Sequence, residues 1–261
     1  MITQNKIAAN RVADFALDVG TFLLASGAHC GRVKSNLTRM AFTWGFDIDL
    51  NPTFTGLAVT VKEMGDPANA VTLFRTSPAH KVHLAMLTDI SHLSWKVYDD
   101  KLTMDEAEHE FKQIKTKPAY NSFVVAVAVG LACAGLCFFS LGDIYNALIA
   151  FAGAFIGSLI RVFLVGRNFN PMICIAFAAF VTTLITGLGS INNIGINPEA
   201  AMATAVLYLI PGVPLINCVI DLIEGYLSSS INRALFAGFI LLCIAAGMTL
   251  CITLLGISNF Y

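Results

Sequence analysis

Leu209-Ile210-Pro211-Gly212-Val213-Pro214-Leu215-Ile216-Asn217, followed by Asp221 and Glu224, breaks an otherwise apolar stretch with two prolines, an amide and two carboxylates. Pro211 and Pro214 have no amide hydrogen and clash with the carbonyl four residues back, so in an apolar helix they free backbone acceptors that something polar must satisfy. Pro211, Pro214, Asn217, Asp221 and Glu224 are spaced by three or four, which puts them along one helix face. An unwound Pro-Gly-x-Pro segment exposes carbonyls and a helix N-terminus whose amides favour anions, as broken membrane helices do around carboxylate substrates and coupling ions. Pro211, Gly212, Pro214, Asn217 and Asp221 are therefore the leading candidates for a substrate or ion pathway, with Gly212 expected to permit close backbone approach. Asp221 is the candidate proton or gating group, and Glu224 is read equally well as an interfacial charge.

The surrounding chain places this stretch in a bilayer. Of 261 residues, 56% are hydrophobic and 13% charged, and mean hydropathy is +0.72, far from the roughly 25% charged average of soluble domains. Charge is segregated: apart from Arg161, Arg167, Arg233, Asp143, Glu199, Asp221 and Glu224, every charged residue and every His lies at or before Lys117. The reading is a membrane α-helical protein of five transmembrane helices preceded by a small cytoplasmic α+β domain. The net charge of −1 and scattered Lys and Arg offer no basic surface for nucleic acid. Of seven cysteines only Cys30 lies outside the apolar half, and no CxxC pair or disulfide framework is present.

The α+β domain is expected over residues 1–118. Ala8, Val12, Phe15, Val19, Phe22 and Leu23 alternate with Arg11, Asp14 and Asp18 at helical spacing, and Val33, Leu37, Met40, Ala41 and Trp44 repeat the pattern after Ser26-Gly27. Phe46, Ile48 and Leu50, then Leu57, Val59 and Val61, then Val71 to Arg75 carry the two-residue period of strands, with Gly65-Asp66-Pro67 as a turn. A third helix is marked by Val82, Met86, Ile90, Leu93 and Val97, and Thr103 with Glu106 forms a capping box opening a fourth.

Residues 119–261 form the membrane domain, with spans at about 120–141, 144–165, 169–191, 199–223 and 234–257, each near the 20 helical residues that cross a hydrocarbon core. Lys112, Lys115 and Lys117 precede the first span, Arg161 and Arg167 close the second, and Arg233 precedes the fifth, whereas the opposite loops have no Lys or Arg. Positive residues mark the cytoplasmic side, so the N-terminus is expected inside and the C-terminus outside the plasma (inner) membrane. The polar opening Thr3-Gln4-Asn5-Lys6 has no basic-then-apolar leader, in keeping with a cytoplasmic first domain.

Other constellations carry less. Arg161 is expected at the depth of Asp221 and is a candidate ion-pair or gate partner, against the plainer reading of a residue that snorkels to lipid headgroups. Gly153-Ala154-Phe155-Ile156-Gly157 suits close helix packing. His80 and His83 share a helix face and His29 adjoins Cys30, but zinc-motif spacing is missing and no metal or other cofactor is expected. No phosphate-binding glycine loop or nucleophile elbow is present.

Taken together, Leu24-Ala25-Ser26-Gly27-Ala28 with Arg32, Pro52-Thr53 before a strand, the 102–117 helix ending at Pro118, Asn170-Pro171, and Pro211-Gly212-x-Pro214-x-x-Asn217-x-x-x-Asp221-x-x-x-Gly225 before Ser229 and Arg233 resemble the threonine/serine exporter (ThrE) family, specifically its N-terminal half. The resemblance spans nearly the whole chain. It implies a secondary exporter of small carboxylates, threonine and serine in one branch and dicarboxylates such as succinate in another. It also implies that Arg32 and Arg233 belong to the functional set. Some members are long single chains and others are split. A chain ending after five spans resembles the larger subunit of a split exporter, with a small all-membrane partner or a second copy of itself completing the pathway. The alternatives are a membrane-anchored hydrolase using His29, Cys30, His80 or His83, and a regulatory subunit of a transport complex.

Overall fold

The amphipathic pattern read from Ala8 folds as one helix, α1 (Ala9–Ala25), with Ala8 as its N-cap and Val12, Ala16, Val19 and Leu23 buried. In the computed structural model, which describes residues 8–78, 82–118 and 120–257, α1 is followed by α2 (Cys30–Thr43) and an antiparallel sheet. The strands β1 (Phe46–Pro52), β2 (Gly56–Glu63) and β3 (Asp66–Thr76) run in sequence order, with Ile48 opposite Val61 and Val59 opposite Leu73. The two-residue period puts Leu57, Val59 and Val61 on the face covered by α1, all fully buried. The other face is polar, with the Thr60 and Thr72 hydroxyls 2.9 Å apart and Lys62 Nζ 2.8 Å from Asp49. Thr103 and Glu106 form the expected capping box at the start of α4 (Met104–Lys115). The helix before it, α3 (Leu84–Asp99), starts later than the periodicity suggests: His83 is its N-cap, and Leu87 rather than Met86 is buried with Ile90, Leu93 and Val97.

The apolar half supplies α5 (Ser122–Phe139), α6 (Ile144–Gly166), α7 (Pro171–Ile191) and α8 (Pro198–Ala205), a 3-10 turn (Leu207–Leu209), α9 (Gly212–Ile223) and α10 (Leu227–Leu255). Asn170 and Asn197 cap α7 and α8, each with proline in the first turn, where its missing amide hydrogen costs nothing. Among the described residues four helices, α5, α6, α7 and α10, are long and apolar enough to cross a membrane, and the bent pair either side of Pro211 makes up to five if it is one span. The break falls at Ile210, extended as a residue before proline must be, and at Pro211. Pro214 does not contribute to it. It sits in the first turn of α9, where amide hydrogens have no intrahelical acceptor anyway.

The chain divides into two units, one comprising residues up to Pro118 with Gly212–Leu235, the other Ala119–Pro211 with Phe236–Tyr261. The first therefore contains α9 and the opening turns of α10 as well as α1 to α4 and the sheet. In the second, glycines set the helix spacing: a Cβ at Gly153 would meet Thr186 at 3.0 Å, and one at Gly130 would meet Phe151 at 2.8 Å. Such small residues let helix backbones approach in a bilayer, where no hydrophobic force drives association.

Candidate functional site

The site is built on the turn between α1 and α2. Gly27 takes a left-handed conformation (φ 97°), and the amides of Gly27 and Ala28 bond back to Leu24 and Leu23, closing α1 with a Schellman motif. The same turn leaves the Gly27 and Ala28 carbonyls free at the negative end of α1. Two residues on, α2 begins, and the Cys30 and Gly31 amides are free at its positive end. Within five residues the backbone thus offers two acceptors and two donors.

Side chains of α9 and α10 match all four. Asn217 Nδ2 donates to the Gly27 carbonyl at 2.7 Å, and Arg233 Nη2 donates to the Ala28 carbonyl at 2.8 Å. The Cys30 amide donates to Asp221 Oδ1 at 2.7 Å, and the Gly31 amide to Glu224 Oε2 at 3.0 Å. Each charge lies at the helix end whose dipole favours it. Asp221 and Arg233 are themselves an ion pair, with Nε 2.9 Å from Oδ2 and side chains 0% and 4% exposed. Nε and Oδ2 lie outside hydrogen-bonding alignment despite that distance, so attraction between them is chiefly Coulombic. α9 ends in a second Schellman motif, with Gly225 at φ 86° and the Tyr226 amide on the Asp221 carbonyl at 2.7 Å. That reversal allows α10 to start at Leu227, well before the span expected from residue 234, and brings Ser229 to the Pro52 carbonyl (3.1 Å) and Ser230 to the Cys218 carbonyl (2.6 Å).

α9 is consequently inside out for a helix in water. Asn217 and Asp221 are its buried residues, while Ile216, Val219, Leu222 and Ile223 are exposed. A polar stripe turned to protein and an apolar face turned outward is the arrangement hydrocarbon demands.

His29, Asp221 and Glu224 each offer a donor atom within 4.8 Å of the others, which is metal-binding proximity. Most of these atoms have partners already: Asp221 Oδ1 takes the Cys30 amide, Glu224 Oε2 the Gly31 amide, and His29 Nδ1 the Arg32 amide at 3.3 Å with Glu224 at 3.2 Å, while Asp221 Oδ2 has no hydrogen bond and faces the Arg233 charge. A cation there would also face the Arg233 guanidinium. Cys30 is fully buried, and burial pushes its thiol up to about 11, the opposite of an activated nucleophile. His29 and His83 are N-caps of α2 and α3, and His80 lies outside the described residues.

Of the remaining candidates, Pro211 is half-buried and Gly212 opens α9. A Cβ on Gly212 would enter open space, so close approach is not what this glycine provides. Arg32 contributes its backbone amide to the His29 cap, and its side chain is exposed. Arg161 is half-buried on α6, and the ion-pair partner of Asp221 is Arg233 instead. Nothing in the residue spacing marks His29 or the Gly31 amide as a carboxylate partner. The signal for them was the helix start just after Gly27, whose amides need acceptors.

An apolar multi-helix unit joined to a small α+β unit, with a polar break in one candidate span, has the makeup of a multi-pass membrane protein. The model of the family described as "Putative threonine/serine exporter" (ThrE) matches residues 14–255, and the chain belongs to that family, whose members are transporters rather than enzymes. Two relatives carry the name "Probable succinate transporter subunit YjjP". The one from Klebsiella aerogenes is 27% identical over 250 residues, 95% of this chain and 96% of its own. The one from Escherichia coli (strain K12) is 28% identical over 261 residues, 100% of both chains. No solved structure matches.

Proposed function

We propose that this chain is the larger subunit of a secondary exporter that moves small carboxylates across the plasma membrane together with a small all-membrane partner. Residues 1–118 face the cytoplasm in this reading, followed by the membrane domain of residues 119–261, and the C-terminus is outside. The carrying observation is the clasp of Asn217, Asp221, Glu224 and Arg233 on the α1–α2 turn. There the chain's own carboxylates occupy helix-end amides and a guanidinium, groups that bind carboxylates in general. An incoming substrate carboxylate competes for them, freeing α9 from the turn and coupling loading to movement of the broken span. Pro211 and Gly212 supply the hinge, and Pro214 only opens the helix that follows. Succinate is the first substrate to test because both end-to-end relatives are named for it, with serine and threonine next because the family is named for them. The word "subunit" in the relatives' name supports a separate partner.

The test is efflux from cells lacking their own exporters, producing this chain with and without the candidate partner. Succinate, serine and threonine are measured outside the cells. Export of at least one is expected only with both proteins, and Asn217→Ala and Asp221→Asn should abolish it at parental protein levels. Parental export by both variants would remove the clasp from the mechanism. Export by this chain alone would assign the partner's place to a second copy.

A further inference from the structure

In the membrane unit, three threonines of α7 are fully buried within five residues: Thr182, Thr183 and Thr186. Thr186 bonds back to the Thr182 carbonyl at 3.0 Å, the usual resort of a hydroxyl on an apolar helix. Thr182 Oγ1 reaches the Gly153 carbonyl on α6 at 3.2 Å and lies 3.2 Å from the Tyr208 hydroxyl, which extends from the 3-10 turn at the broken span. Thr183 does neither. Its hydroxyl is buried and meets no acceptor among the described residues. A hydroxyl left unmade in hydrocarbon is costly, and valine of the same shape would avoid the cost.

The second unmatched donor is Arg161. Gly157 is where α6 admits the Thr182 and Tyr208 hydroxyls, since a Cβ there would collide with both. Arg161 lies one turn further along the same face, about 6 Å away. It makes no hydrogen bond or ion pair among the described residues. The acidic residues of this unit, Asp143 and Glu199, offer no counter-charge: Asp143 caps the opposite end of α6, about 27 Å along the helix. Glu199 is tied to that same end, because the neighbouring Asn197 amide bonds Asn146 at 2.9 Å. A half-buried guanidinium one turn from a hydroxyl pair at a helix break, and a buried hydroxyl without an acceptor on the next residue of α7, call for a group made only of acceptors. A carboxylate is such a group.

We infer that Arg161, Thr182, Thr183 and Tyr208 form the membrane-embedded seat of the transported carboxylate, Arg161 taking the carboxylate and Thr183 a polar group further along the molecule. This rests on the exporter reading and gives it a binding site apart from the clasp. Arg161 is the anchor, and the α7 hydroxyls with Tyr208 orient the substrate.

The test uses the full chain with its partner in proteoliposomes, with labelled succinate and labelled threonine as probes, in phosphatidylcholine alone and with added phosphatidylglycerol. Thr183→Val should raise the melting temperature, because it removes an unsatisfied hydroxyl, and yet raise KM about tenfold. Thr183→Ser should restore KM. Arg161→Gln should lose saturable transport in both lipids, and Arg161→Lys should retain part of it. A more stable Thr183→Val with unchanged KM would make the hydroxyl a packing flaw and overturn the seat. An Arg161→Gln defect confined to stability in anionic lipid, with KM intact, would make Arg161 a headgroup anchor and also overturn it. If the parental protein moves neither probe, the exporter reading itself falls, an outcome separate from both.

Discussion

Asp221→Asn should open the clasp, and Cys30 is positioned to report it. The substitution keeps an acceptor for the Cys30 amide but leaves the Arg233 guanidinium, 4% exposed, without its counter-charge. Breaking a buried pair by removing one partner costs about 3–5 kcal/mol, which for a local opening equilibrium is about two to three and a half decades. Cys30 is 0% exposed and its thiol is held up to about 11 by burial, so at pH 7.5 it reacts with maleimide only when α9 lifts away. In a chain whose other six cysteines are replaced, labelling of Asp221→Asn should be at least 100-fold faster than the parent, with each rate normalised to its denatured chain at the same pH. Arg233→Met should behave similarly, since it strands Asp221. The double variant Asp221→Leu with Arg233→Met removes both charges together and should recover most of the protection, because a buried pair seldom outperforms apolar residues of similar volume. Single variants labelling within threefold of the parent, or a double variant as fast as the singles, would refute a clasp held by this pair.

Asn217→Leu strands the Gly27 carbonyl, a buried-acceptor loss of about 1–3 kcal/mol, and should accelerate Cys30 labelling about 10- to 100-fold. Gly31→Ala places a methyl on the Glu224 carboxylate and displaces it from the Gly31 amide; because Glu224 is 34% exposed, labelling should change less than tenfold. The raised Cys30 thiol gives a pH dependence: with its pKa moved from 9.0 to about 11, the neutral form is favoured on folding, so its contribution is complete below pH 9 and lost as pH rises toward 11. Thermal melts across pH 8 to 11 should show an alkaline decline that Cys30→Ala reduces. Gly157→Ala drives a methyl into Thr182 and Tyr208 and should lower the melting temperature, an overpacking cost of about 1–3 kcal/mol.

What was legible in the sequence was what local chemistry encodes. Thr103 and Glu106 announce a helix start because the capping box closes within four residues, and Leu57, Val59 and Val61 announce a covered sheet face because strand period is two. The spacing of Asn217 and Asp221 likewise marks the face of α9 that is buried. It did not name what covers that face. The acceptor for Asn217 is 190 residues away and the amide on Asp221 is 191 away, separations at which no periodicity carries information. Arg161 was a natural partner for Asp221 on membrane depth alone. Arg233 takes the place because Gly225 reverses the chain and starts α10 early, a geometry hidden in one left-handed glycine.

The deeper ambiguity is that a helical moment has no sign. A stripe of Ile216, Val219, Leu222 and Ile223 opposite Asn217 and Asp221 reads the same whether the apolar side packs on a protein core or meets lipid. Burial decides it: the amide and the carboxylate are inside and the aliphatic residues are out. A segment that clasps the α1–α2 turn of the first unit through its polar stripe, while presenting hydrocarbon on its other face, cannot release that turn without also exposing an aspartate and an arginine. Such exposure is expensive in lipid and tolerable in a water-filled path or beside a bound carboxylate. In the exporter reading proposed above, the pair that holds the clasp shut makes its opening conditional on a polar occupant, which is the coupling that reading requires.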